Sequence, residues 1–261
     1  MKIILLPILF LINLTPANAD CFLASENNKI IKQIGDCTLR RSPCSTFKIA
    51  LSLMGYNENI LIDESHPELN FKEGYTEWLK IWKQPHTPTT YIKNSCLWYS
   101  HVITKKLGVK KFQDYVTKFN YGNQDISGDL GQDNSLTKSW ISSSLKISPE
   151  EQIIFLQKLV NKKLPVSLKS HEMTKRILFV EHLKDGWKLY GKTGAGHIKN
   201  PDLPLNEDHK LGWFVGWIEK DNRRIIFVHY LDGKEKECAT LTQRAKTVAK
   251  EKLMNLVKAP S

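Results

Sequence analysis

The chain has 261 residues, 41% hydrophobic and 25% charged, and its 38 Lys and Arg against 27 Asp and Glu leave a formal charge of +11. At about 150 residues per domain this is one large domain or two interlocked ones, with ample chain for a core. The basic residues are scattered, Lys105-Lys106, Lys110-Lys111 and Lys162-Lys163 being isolated pairs, with no basic stripe carrying interleaved aromatics. That argues against a nucleic-acid surface and leaves an anionic small molecule or a cell-wall surface compatible with the charge.

Lys2, the apolar run 3–12 and the closing Ala17-Asn18-Ala19 predict a secretory leader over 1–19, cut after Ala19. The run is shorter than the roughly 20 residues of a membrane span, and Pro7 interrupts it. The expectation is a soluble, periplasmic protein of residues 20–261 that is not stably held at a membrane. Cys21 and Cys37 then flank two strands around a Glu26-Asn27-Asn28 turn, and a disulfide across that hairpin fits an oxidising compartment. Five cysteines leave at least one free thiol.

Phe47–Met54 is apolar nearly all round, the mark of a buried helix. Ser100–Lys118 has helical spacing broken near Gly108. Ser148-Pro149-Glu150-Glu151 predicts a helix start, with Ser as N-cap, Pro in the first position and a Glu that completes a capping box. That helix runs towards Pro165. Three stretches rich in aromatic and β-branched residues follow: Trp187–Lys192, Lys210–Glu219 and Arg224–Leu231, with a turn at Lys220-Asp221-Asn222 between the last two. An amphipathic helix over about Thr240–Leu256 ends the chain. The fold class is α+β, a sheet shared by both ends of the chain with a helical part at roughly 55–185 inserted.

A serine hydroxyl is a poor nucleophile until a base takes its proton. Ser45 and Lys48 lie three apart and can meet on one helical face. Ser135/Lys138 and Ser143/Lys146 share that spacing but lie in polar stretches, whereas Ser45 opens the apolar helix that carries Lys48 inward. Burial there lowers an amine from its reference pKa of about 10.4, which makes Lys48 the candidate base. Further along are Ser95 at a helix start, the turn Tyr121-Gly122-Asn123, and Lys192-Thr193-Gly194 near a strand end. A Lys and a Thr hydroxyl suit a substrate carboxylate, and the glycine lets the next backbone N–H approach an oxyanion. There is no C-x-x-C or H-E-x-x-H and the eight histidines are dispersed, so no metal site is expected.

In this order, Pro43-x-Ser45-Thr46-Phe47-Lys48, Ser95, Tyr121-Gly122-Asn123, Trp140 and Lys192-Thr193-Gly194 resemble the motif set of the class D serine β-lactamases, the oxacillinases. The likeness takes in "SWISSSLKISPEEQ" and "GWFVGW" and covers nearly all of residues 20–261. It implies the fold of the serine β-lactamases and penicillin-binding transpeptidases: an antiparallel sheet flanked by N- and C-terminal helices, plus an inserted helical subdomain. It also implies hydrolysis of penicillins, oxacillin-type among them, through an acyl-enzyme on Ser45. Lys48 would be carboxylated by CO2 to an N6-carboxylysine general base, with no metal or organic cofactor. Trp140 would hold the carbamate through its indole N–H, and Ser95 with Lys192 would pass a proton to the lactam nitrogen. Ser45 and Ala195 would form the oxyanion hole. Thr193, beside Gly194, and Arg244 would bind the carboxylate of the small-molecule substrate.

Two departures stand out. Leu97 fills a place where the family usually has Val or Ile; its side chain is expected to cover the carbamate, so it bears on water entry. Cys44 and Cys96 adjoin the two serines and could pair, pair elsewhere or stay as buried thiols, the last being the default. A β-lactam sensor domain that acylates without turnover, and a cell-wall transpeptidase, are the rival readings. The protein is expected to act as a monomer or homodimer.

Overall fold

A computed structural model describes residues 20–198, 209–234 and 237–258; the leader predicted over 1–19 lies outside them. Strands β1 (Cys21–Glu26) and β2 (Lys29–Gly35) form the expected hairpin, with Asn27 and Asn28 both at positive φ in its turn, and the Cys21–Cys37 disulfide closes it. Asparagine tolerates that left-handed backbone better than most residues. Four more strands, β3 (Phe179–His182), β4 (Lys188–His197), β5 (His209–Lys220) and β6 (Arg223–Lys234), join them in one sheet of order β2-β1-β6-β5-β4-β3. Every pairing is antiparallel, and β1 lies against β6, so the two ends of the chain share the sheet.

Alternation along the central strands splits the core in two. Phe22, Leu189, Phe214, Ile218 and Phe227 face helix α7 (Cys238–Lys258), whose Leu241, Ala245, Ala249 and Leu253 form its buried stripe. Leu23, Leu211, Trp213, Val215, Trp217 and Val228 point the other way, into the helical part. That part holds α1 (Lys48–Asn57), α2 (Pro88–Lys93), α3 (Leu97–Lys118), α4 (Ser135–Lys138), α5 (Pro149–Val160) and α6 (Leu168–Ile177). The capping box of α5 forms as expected: Ser148 Oγ accepts from Glu151 N–H, and Glu151 accepts from Ser148 N–H. Gly108, at φ 75° and ψ 161°, breaks α3 where the sequence predicted.

Two elements differ from expectation in ways that matter for the site. The strand expected to end at Lys192 continues to His197, so Lys192-Thr193-Gly194 lies inside β4, not near its end. Glycines are poor strand formers, but here the ladder to β5 holds them, with Thr193 opposite Phe214 and Ala195 opposite Gly212. The buried helix begins as a single 3₁₀ turn, Cys44–Phe47, before α1 proper.

Candidate active site

In a 3₁₀ turn residues i and i+3 eclipse, so the turn stacks Ser45 beneath Lys48 more directly than an α-helix would. Lys48 Nζ donates to Ser45 Oγ at 3.2 Å. The lysine has no exposed surface, and burial lowers its pKa to about 8 against the opposing pull of Cys96 and Cys44. Its nitrogen lies 5.9 Å from the centroid of the Tyr91 ring. Ser45 itself is partly exposed, whereas its candidate base Lys48 has no exposed surface.

Several tethers fix this turn. Ser42 Oγ donates to the carbonyl of Trp140 at 2.8 Å and accepts from Ser142 N–H at 2.9 Å. Arg41 bridges Ile147 through paired backbone bonds of 3.0 and 2.8 Å, and Trp213 Nε1 donates to the Ser42 carbonyl. The segment after Trp140 therefore wraps the entry to the nucleophile.

Strand β4 closes on the same turn. A Cβ on Gly194 would stand 2.9 Å from the Pro43 carbonyl oxygen and 3.0 Å from Thr46 Cγ2, and one on Gly196 would meet Cys44 Sγ at 2.4 Å. Only glycine lets the strand come this near. Lys192, also buried, donates to the carbonyl and hydroxyl of Thr193 at 3.1 and 3.3 Å. Desolvation first, then the charges of Lys48 and Lys246, holds its pKa well below an ordinary lysine's. The Lys48 charge thus disfavours a proton on Lys192.

Ser95 sits at φ 53° in the turn between α2 and α3, followed by buried Cys96 and Leu97. Cys96 and Lys48 influence each other's ionisation, which puts this turn beside the lysine. Trp140 is fully buried against Phe47, Phe112 and His101 at centroid distances of 5.7, 6.0 and 6.0 Å. Its indole N–H has no hydrogen-bond partner among the described residues. A buried donor without an acceptor costs free energy; the Trp217 indole N–H is in the same position.

Tyr121-Gly122-Asn123 serves as a brace. Tyr121 packs edge-on against Phe47 and donates to Gln152 Oε1, while Asn123 bonds both Ser144 and Lys146 backbone groups.

No contact of Arg244 with Ser45, Lys48, Lys192 or Thr193 is among those described above. The Arg244 charge acts on Asp20 and His229, at the β1 and β6 side of α7. The helix residues turned towards β4 are Thr242, whose hydroxyl is 3.2 Å from the Gly194 carbonyl, and Lys246, whose charge reaches Lys192. Residues 242 and 246 share a helical face that 244 does not. The sequence reading missed Thr242 and His101. The buried stripe of α7 carried the signal for the first; nothing in the pattern singled out the second.

Among the described residues, no cluster of three or more His, Cys, Asp or Glu could hold a metal ion, and no helix is long and apolar enough to cross a membrane. The penicillin binding protein transpeptidase domain matches residues 21–255. The chain is 42% identical to "Beta-lactamase OXA-9" of Klebsiella pneumoniae, covering 78% of this chain and 75% of that protein. It is 41% identical to "Beta-lactamase OXA-1" of Escherichia coli, covering 87% and 80%. The crystal structure of "OXA-427 class D beta-lactamase" superposes with a TM-score of 0.86 at 43% identity, covering 92% of this chain and 98% of that one.

Proposed function

Since the chain belongs to the penicillin binding protein transpeptidase family and, within it, to the class D serine β-lactamases, we propose that it opens the β-lactam ring of penicillins, oxacillin-type included, by hydrolysis through an acyl-enzyme on Ser45. The observation that carries this reading is the fully buried Lys48 amine 3.2 Å from the Ser45 hydroxyl.

At pH 7 an amine of pKa about 8 is neutral in about one molecule in ten, about 300-fold more than at the ordinary lysine value. Only that neutral form reacts with CO2. The unpaired indole N–H of Trp140 and the depressed Lys48 amine fit an N-carboxylated lysine at this position. When bound, the carboxyl group supplies a proton acceptor for the Ser45 hydroxyl and then for the hydrolytic water. Trp140 holds it, and Leu97 covers it. Ser45 Oγ attacks the lactam carbonyl, and the backbone N–H groups of Ser45 and Ala195 receive the developing oxyanion. Ser95 relays a proton to the lactam nitrogen. Lys192 supports that relay, because loss of the Lys48 cation removes one of the charges that disfavour an ammonium at Lys192. Thr193, with Gly194 allowing close approach, receives the substrate carboxylate.

The substrate is met outside the cytoplasm in this reading. A leader over 1–19 would export the chain to the periplasm, and the Cys21–Cys37 disulfide suits that compartment.

Benzylpenicillin hydrolysis measured with and without added bicarbonate tests the reading. Repeated turnover stimulated by bicarbonate and lost in Ser45→Ala is expected. A single stoichiometric burst would make the chain a β-lactam sensor, and full activity of Ser45→Ala would remove the assignment.

A further inference from the structure

One partly buried imidazole lies beside Trp140 and within reach of the Lys48 charge, and the chemistry above does not use it. His101 is one turn along α3 from Leu97. Its Nε2 lies 3.1 Å from the carbonyl oxygen of Thr137, three residues before Trp140. A carbonyl only accepts, so Nε2 carries the proton and Nδ1 is bare. The same ring stands edge-on to the Trp140 indole, with centroids 6.0 Å apart and planes at 63°. Thr104, the next turn of α3, donates to the carbonyl of Leu136. Helix α3, which starts at the Ser95 turn, therefore grips successive carbonyls of α4 immediately ahead of Trp140. Burial, then the charges of Lys48, Lys105 and Lys138, keeps His101 neutral, at about 4, against the pull of the Thr137 carbonyl.

We propose that His101 is a positioning residue for Trp140: clamping the chain at Thr137 and packing edge-on against the indole, it aims the unpaired N–H at the Lys48 carboxyl group and so sets the affinity for CO2. This rests on the carbamate reading above. In that capture Lys48 Nζ, as a neutral amine, forms one bond to the carbon of CO2 and releases one proton to water. His101 takes no part in the bond. It fixes the donor that holds the product.

The test titrates the full protein with ¹³C-labelled bicarbonate and follows the lysine carbamate by its ¹³C resonance, a readout independent of any β-lactam. His101→Ala is expected to raise the CO2 concentration for half-occupancy about tenfold. At ambient CO2 it should lower kcat for benzylpenicillin with KM unchanged, and excess bicarbonate should restore kcat. His101→Gln, whose amide N–H can reach the Thr137 carbonyl, should recover most of the affinity. Trp140→Phe should raise the CO2 requirement at least as far, and His101→Ala added to it should change nothing more. If His101→Ala does not fold, His101→Phe, which refills the volume without the N–H, carries the same expectations. Additive effects in that cycle, or wild-type CO2 affinity in the single variant, overturn the proposal and leave the carbamate standing. No carbamate resonance in the wild-type protein overturns both.

Discussion

Thr242 and Arg244 are two residues apart on α7 and serve opposite neighbourhoods: the Thr242 hydroxyl lies 3.2 Å from the Gly194 carbonyl, while the Arg244 charge acts on Asp20 and His229. A substrate carboxylate at Thr193 would meet the first of these sides of the helix. Arg244→Ala is therefore expected to leave KM for benzylpenicillin within about twofold of wild type. Thr193→Val removes a hydroxyl that would bond an anion and should raise KM by about tenfold or more. Steady-state kinetics of the two variants decide it. A large KM increase in Arg244→Ala would return the arginine to the site.

The Lys48 amine gives a pH dependence of known sign. Its pKa is lowered to about 8, so the neutral form that captures CO2 dominates above pH 8 and is lost as pH falls below it. In CO2-depleted buffer, kcat/KM should decline on the acid side with a midpoint near pH 8. Added bicarbonate should move that midpoint lower, because mass action draws on the remaining neutral fraction. A profile flat from pH 9 to 6 without bicarbonate would mean that this amine does not limit activity.

The approach of β4 to the nucleophile turn leaves no room for a methyl group. Gly194→Ala would place a Cβ 2.9 Å from the Pro43 carbonyl oxygen and 3.0 Å from Thr46 Cγ2. The strand must retreat, and with it the Ala195 N–H that would face the oxyanion. A displacement near 1 Å in such a site costs about 100-fold in rate, so kcat should fall by that order. The unfolding temperature should also fall by several degrees, because the atom met at 2.9 Å is backbone and overpacking of this kind costs about 1–3 kcal/mol. Wild-type kcat in this variant would place the oxyanion donors elsewhere.

Much of this was legible in the amino-acid order because burial follows pattern. The apolar run after Ser45 carries Lys48 inside, and that decided which of three Ser/Lys spacings mattered. The Ser148 cap, the Gly108 break and the Cys21–Cys37 hairpin were equally local. The interior position of Lys192-Thr193-Gly194 in β4 was not local. A Gly-Ala-Gly run reads as the end of a strand, and only the pairing with β5 and the closure on Pro43 and Thr46 keep it extended. Strand β3 is four residues at the sheet edge, too short for its alternation to register. The facing of Arg244 followed from the stripe Leu241, Ala245, Ala249 and Leu253, which places residue 242 towards β4 and turns 244 away.

Acid should destabilise the fold through a second buried imidazole. His229 is 2% exposed, donates from Nδ1 to the Ala245 carbonyl at 2.8 Å and packs edge-on against Phe22. Burial lowers its pKa to about 4; the Ala245 bond opposes this, and the Lys252 and Arg244 charges add to it. The unfolded chain takes up this proton near pH 6.5, the ordinary histidine value, while the folded one does not until about pH 4. The stabilisation is therefore complete above pH 6.5, shrinks as pH falls from there, and stops changing below about pH 4. At pH 4.5 the loss from this one group amounts to roughly 2–3 kcal/mol. Carboxylates add their own acid losses, so the difference between two proteins isolates the histidine. Urea unfolding of wild type and His229→Gln at pH 7 and pH 4.5 measures it, since the glutamine amide can still donate to the Ala245 carbonyl but does not titrate. The variant should lose less stability than wild type between the two pH values by about that amount. Equal losses would mean that His229 is already protonated in the folded protein.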